Sequence, residues 1–531
     1  MRFYLLAILV FSQVFIFANK TKEELKISTL YHSLNPSSIS ELFAFHELYP
    51  ETKEGKKALS QAWSLLTLHK KERHSIYENL FLPKVDISAV VSLVNKQPYE
   101  APTPLTFEQL DALEDLSSHL HHRSLKGHYC TKKEELFSLE SEDIDLARAL
   151  LIYQYEKEKE PLLQIRRYEA TIDLMALQIL SRLAKNASSE EKIKQINEFI
   201  FHEMQFRFPP NSTMAKDIDI YTFLPSVLDS RKGVCLGVSI LYLAIAQRIN
   251  LPLEVITPPG HIYVRYNDGE KVINIETTAR GINMPTDLYL GINTHQLSVR
   301  SLKEVVGMSF INQASVLWKD QEYHKAAELY EQARPFMPED PYLKMFLGIQ
   351  YILLNQNEKG RALLKQIQNI PFKDSIYKET MCEDIINYEI KKEALEAVFL
   401  NVDEKRESII KKQKLLEQVI KKHPKFRAAH FHYAITWLQL GRNKEGLKCL
   451  EKYHELDQND PTSNYYLSVL YLQRLSYKKS WEFLLETKKI LKEKNHHPRS
   501  LKELELQLRF LQPDIMHQTC NIIDKAVNNG I

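Results

Sequence analysis

Cys235, His261 and Glu276 have the types and the chain order that nucleophilic acyl chemistry requires. Cys235 lies in Arg231-Lys232-Gly233-Val234-Cys235-Leu236-Gly237, at the opening of an apolar segment that reads as a helix to about Ile249. A thiol in a first helical turn meets the positive end of the helix dipole and unpaired N–H groups, and both favour thiolate. The same N–H groups can hold an oxyanion. Taken alone, an unpaired cysteine more often packs as a small apolar core residue. The following segment shifts that balance. Gly260 to Tyr266 alternates as a strand, Asn267-Asp268-Gly269-Glu270 reads as a turn, and Lys271 to Glu276 alternates back. A two-residue Asp268-Gly269 hairpin loop pairs Asn267 with Glu270, and therefore His261 directly with Glu276 on one sheet face. Ile262, Val264, Ile273 and Ile275 then share the other face. The expected unit is a Cys–His–Glu triad in which Cys235 attacks, His261 acts as base and then acid, and Glu276 orients the imidazole. Against it stands a plain surface ion pair between His261 and Glu276.

The elements around these residues are mostly helical in pattern. Only 14 glycines occur in 531 residues, and Leu/Glu/Lys/Ala-rich stretches dominate, which favours helix. Apolar spacing at Leu59, Ala62, Trp63 and Leu66 predicts a helix, and Thr106 is placed to cap another. Prolines and short β-branched runs between Pro209 and about Ser309 predict an α+β unit. From Phe310 onward a period appears. Ala314, Gly348, Ala434 and Ser468 recur 34, 86 and 34 residues apart, and Ala326, Gly360, Gly446 and Ser480 keep the same spacing. Small residues at a 34-residue period are the mark of tetratricopeptide repeats, where two helices cross closely. The longer gap leaves room for one or two atypical hairpins between Ser375 and His423. The groove of such a solenoid is the expected docking surface for a protein or peptide.

Charge narrows the partners. Lysine plus arginine (70) nearly cancels aspartate plus glutamate (68), so the chain carries no general electrostatic footprint for nucleic acid. Lys411, Lys412, Lys414, Lys421 and Lys422 read as one wet helix face. Arg2, the apolar run Phe3–Phe17 and Ala18 read as an export signal, which makes the mature chain periplasmic or secreted. Contact with a membrane follows only if that segment stays as an uncleaved anchor. The five cysteines (Cys130, Cys235, Cys382, Cys449, Cys520) are odd in number and scattered, not a disulfide framework. His119, His121, His122, His128 and Cys130 cluster in sequence, with His119 and His122 able to share a helix face. Without paired cysteines or nearby carboxylates, they read as a solvated helix end and not a metal site. No metal or cofactor is expected.

The order of cysteine, apolar helix, Gly-His strand and acid on the next strand resembles the transglutaminase-like superfamily, and more narrowly its SirB-type members with tetratricopeptide tails. The resemblance covers about Asp143 to Gly307. It is carried by Asp145-Leu146-Ala147-Arg148-Ala149, Ile196 to Phe201, Val227 to Val234, Leu241 to Ala246 and Pro259 to Arg265. Three departures stand out: Cys235 is present where many members of that branch lack it, Glu276 replaces the usual aspartate, and Tyr221-Thr222 replaces a frequent Asn-Ser. The resemblance implies a mainly α chain with a central α+β papain/transglutaminase-like core and a C-terminal α-solenoid. The expected divisions are a signal peptide at 1–18, an N-terminal helical region at 19–139, the core at 140–308 and the repeats at 309–531. The expected function is an exported thiol hydrolase or acyl transferase acting on an amide, ester or isopeptide carbonyl. A periplasmic protease is a variant of that chemistry. A non-catalytic scaffold working through its repeats is the competing class.

Overall fold

A computed structural model of the chain describes residues 22–68, 87–100, 105–209, 222–370, 372–403 and 405–511. The expected leader at 1–18, Tyr221 and Cys520 lie outside the described residues. Among those described, no helix is long and apolar enough to cross a membrane.

The molecule is mainly helical around one antiparallel sheet in the order β4-β3-β2-β1-β5. Its strands are β1 (Glu254–Thr257), β2 (Tyr263–Asn267), β3 (Val272–Glu276), β4 (Ile282–Asn283) and β5 (Ser298–Arg300). The Cys235–Arg248 helix is buried at nearly every position from Leu236 to Ala246. A helix apolar all round can be satisfied only at the centre of a fold. It packs against the Leu146–Tyr155 and Pro161–Leu180 helices on one side and β2 on the other. The N-terminal helices Ile39–Leu48, Lys53–Leu66 and Phe107–Leu116 join the same apolar cluster, which continues through the sheet to Tyr351. Thr106 caps the Phe107–Leu116 helix, with Gln109 closing the capping box.

Four helix hairpins carry the 34-residue phase: Leu302–Lys319 with Tyr323–Ala333, Pro341–Leu353 with Asn357–Ile367, Arg427–Gln439 with Asn443–Leu456, and Pro461–Gln473 with Tyr477–Lys492. The phased small residues sit where the helices cross. A Cβ on Gly360 would stand 2.5 Å from the Gly348 carbonyl oxygen. Ser468 and Ser480 each donate to the other's carbonyl, at 2.8 and 2.7 Å. Between the second and third hairpins run three helices, Met381–Asn387, Lys392–Phe399 and Arg406–Lys422. On the last of these, Lys411, Lys414, Lys421 and Lys422 are exposed. Lys412 departs from the expected wet face: it is buried, donates to the Leu400 carbonyl at 2.9 Å, and burial lowers its proton affinity to about 8.

Candidate active site

Cys235 is the first residue of its helix and is half-buried. Val234 at the N-cap offers no side-chain hydrogen bond to the first N–H groups of that helix. Gly233 is required by space: a Cβ there would stand 2.6 Å from Val238 Cγ2 and 3.1 Å from Val238 N. The helix is keyed to the sheet from its second turn. Ser239 Oγ lies 3.0 Å from Thr277 Oγ1, and Tyr242 donates to Asn197 Oδ1 at 3.0 Å, whose Nδ2 donates to the Gly281 carbonyl at 3.3 Å.

His261 enters through a turn, its N–H donating to the Pro258 carbonyl at 3.1 Å, with Gly260 at φ +70°. Proline followed by glycine suits that turn, because its third position needs positive φ. His261 Nε2 lies 2.7 Å from Glu276 Oε2, with the imidazole 26% exposed and the carboxylate 6%. That leaves Nδ1 as the nitrogen able to meet the thiol. The neighbouring Cys235, and next the hydrogen bond with Glu276, raise the proton affinity of His261 to about 9 against the opposing effect of burial. Burial pushes Glu276 up, but donors from His261, Thr278 and Tyr289 outweigh it and hold the carboxyl at about 2. The arrangement is that of a basic imidazole beside a carboxylate fixed by three donors.

The register differs from the direct pairing expected from the sequence. Asn267 pairs with Val272, and Val264 with Ile275, so the hairpin is shifted by two residues. The cause is the turn. Asp268 Oδ1 accepts from Glu270 N (3.0 Å) and Lys271 N (2.7 Å), while Asn267 Oδ1 accepts from Gly269 N (3.1 Å), so the loop takes four residues and not two. An even shift preserves the faces. His261 and Glu276 therefore stay on one side of the sheet as a diagonal pair, a separation that a glutamate side chain spans.

Three residues of the site carried no sequence signal. Tyr289 donates to Glu276 Oε2 at 2.6 Å and stacks on His261, with centroids 5.9 Å apart and planes at 15°. Tyr263 stacks behind it at 4.7 Å. Thr278 donates to Glu276 Oε1 from both N (3.1 Å) and Oγ1 (2.6 Å), because Glu276 also caps the Thr277–Ala279 turn.

The histidine cluster lies at the other end of the Cys235–Arg248 helix and is not a solvated helix end. The Phe107–Leu116 helix stops before it, and His122 and His128 are buried. His122 Nε2 lies 3.4 Å from Asp173 Oδ1, to which Arg248 Nε donates at 2.6 Å. Arg123 and Ser117 donate to Oδ2 of the same aspartate at 2.7 and 2.8 Å. His122, His128 and Asp145 bring ligand-type atoms within 4.8 Å of one another. His128, however, commits Nδ1 to Asp145 and Nε2 to Arg123, each at 3.2 Å. The guanidiniums already stand where a cation's charge would act, so the cluster is arranged as a buried ion-pair network.

A family model described as the transglutaminase-like superfamily matches residues 166–287, a span that includes Cys235, His261 and Glu276. None of the curated proteins compared matches the chain. Among solved structures, MamA from Desulfovibrio magneticus RS-1 is 12% identical over 35% of this chain and 96% of its own, with a TM-score of 0.19. TTC0263, a thermophilic tetratricopeptide-repeat protein of Thermus thermophilus, is 16% identical over 38% of this chain and 96% of its own, also with a TM-score of 0.19.

Proposed function

We propose that the chain is a thiol hydrolase or acyl transferase of the SirB-type transglutaminase-like branch, working through Cys235, His261 and Glu276. Cys235 Sγ attacks an amide, ester or isopeptide carbonyl, and the uncapped N–H groups of its helix receive the oxyanion. As the carbonyl re-forms, the C–N or C–O bond breaks and the His261 imidazolium gives its proton to the leaving group, leaving a thioester on Cys235. Water or an amine then attacks the thioester, His261 takes that nucleophile's proton, and the thiolate is released. Glu276 keeps the imidazole in place through both halves. In this reading the mature chain is exported, and its repeats hold the protein or peptide that carries the scissile or accepting group.

The observation that carries the reading is His261, bonded to Glu276 at 2.7 Å and coupled electrostatically to Cys235, with its proton affinity raised to about 9. The test is incubation of wild type and Cys235→Ala with an activated acyl ester, followed by peptide mass spectrometry. A thioester adduct on the Cys235 peptide, absent from the variant and lost on adding hydroxylamine, is expected. Equal labelling of both proteins leaves the scaffold reading in its place.

A further inference from the structure

Tyr289 belongs to a segment that leaves the core. Directly after it, Leu290 to Gln296 crosses to the C-terminal half of the chain. Ile292 is 8% exposed, and the cluster that buries it consists otherwise of Trp481, Leu484, Leu491, Leu501, Leu504 and Leu508 from the last helices. His496 Nε2 donates to the Gly291 carbonyl at 2.8 Å. Asn293 accepts twice from the linker before the Met381–Asn387 helix, its carbonyl from Ile376 N and its Oδ1 from Tyr377 N, both at 2.8 Å. Thr294 forms an antiparallel bridge with Ser375. Only two residues, Leu290 and Gly291, therefore separate the ring that stacks on His261 from an apolar anchor supplied by another part of the chain.

We propose that Tyr289 is a positioning residue for His261 and Glu276, and that the last helices of the chain complete the reactive site by holding Gly291 and Ile292 directly after it. This rests on the thiol reading above. The ring gives the imidazole a flat wall, and its hydroxyl donates to the same carboxylate oxygen that Nε2 meets, while Thr278 holds the other oxygen. Tyr289 lies beyond β4 in a short 3₁₀ turn, Thr286–Tyr289, whose start the sheet holds through Asn274 Nδ2 donating to Thr286 Oγ1 at 3.0 Å. The Tyr289 ring rests on Tyr263, while the chain directly after it is held by the C-terminal half. Among the described residues, the ionisable groups around the imidazole are Cys235 from its helix, Glu276 from β3, Tyr263 from β2 and Tyr289 itself. A ligand that flexes the last repeats would move this wall, and the thiol would register the movement.

The test uses the full-length chain and the rate at which iodoacetamide alkylates Cys235, followed at its own peptide by mass spectrometry from pH 5 to 9. Wild type should keep a fast thiolate rate at pH 6 that His261→Ala loses. Tyr289→Ala and Ile292→Ala should each slow the pH 6 rate by about two- to tenfold, the effect of one lost positioning hydrogen bond. Ile292→Val should restore wild-type behaviour, and hydrogen exchange should show the Cys235–Arg248 helix as protected as before. If Tyr289→Ala and Ile292→Ala both follow the wild-type profile while His261→Ala does not, the inference fails and the triad stands. Slowing by Tyr289→Ala alone refutes the anchoring role. A wild-type profile that matches His261→Ala removes the thiol reading and the inference with it.

Discussion

At one end of the Cys235–Arg248 helix His261 lies 2.7 Å from Glu276, and at the other His122 lies 3.4 Å from Asp173. Both are histidines beside a carboxylate, yet their proton affinities move in opposite directions. His261 is raised to about 9, first by Cys235 and then by Glu276. His122 is lowered to about 3, first by burial and then by the Arg248 guanidinium. Its imidazole is fully buried, and the aspartate beside it is already satisfied by Arg248, Arg123 and Ser117. A neighbouring carboxylate therefore does not by itself make a histidine basic. Access to water, and whatever else the carboxylate holds, decide the sign. The half-open end leaves its imidazole partly in contact with solvent, whereas the closed end is sealed in the core.

The comparison can be broken most severely at the thiol. Cys235→Ala should abolish acyl labelling and leave the thermal midpoint nearly unchanged; a large fall in the midpoint would make the cysteine a packing residue. At the closed end Asp173→Asn should do the reverse, costing about 3–5 kcal/mol in urea unfolding because Arg248 and Arg123 lose their shared anion. The two ends are about 20 Å apart, fourteen residues of helix, so the alkylation profile of Cys235 should survive that substitution. Loss of the profile would mean the two ends act as one unit.

Acid should also separate them. Unfolded, His122 binds a proton near 6.5, but folded it does so only near 3. Stability should therefore fall as pH drops through that window, by up to about 1.4 kcal/mol per unit. His122→Gln should flatten this slope. A site remote from both ends gives a control: Gly360→Leu overpacks the crossing with Gly348 and should cost about 1–3 kcal/mol with labelling intact. The smallest effect is expected in alkali. His261 gains affinity on folding, so its contribution is fully present below about 6.5 and is lost as pH rises through about 9. The stability gap between wild type and His261→Ala should shrink over that interval, modestly, because the group is partly exposed. A gap that widens instead would reverse the assignment of His261 as the protonated partner.

Local pattern was enough for the repeat crossings, because Gly348 and Gly360 or Ser468 and Ser480 recur at a spacing that helix geometry enforces. It was also enough to bring His261 and Glu276 to one sheet face, since alternation along a strand survives an even shift of register. The shift itself was not legible. Asp268-Gly269 has the composition of a two-residue turn, and only the competition of the Asp268 and Asn267 side chains for backbone N–H groups makes the loop longer. The histidine cluster was misread for a different reason. Arg123 lies beside His122, but Asp173 is about fifty positions beyond and Arg248 further still, so the anion that gathers these charges was not announced locally.

By itself the sequence determined periodicities and the order Cys235, His261, Glu276, because these depend on residues close in the chain or on strand parity. Tertiary structure alone decided that Tyr289 walls the imidazole, that Ile292 ties that wall to the last helices, and that His122 is neutral in the core. Those outcomes depend on which distant side chains share a volume from which water is excluded. Packing sets that property, and no local run of residues encodes it.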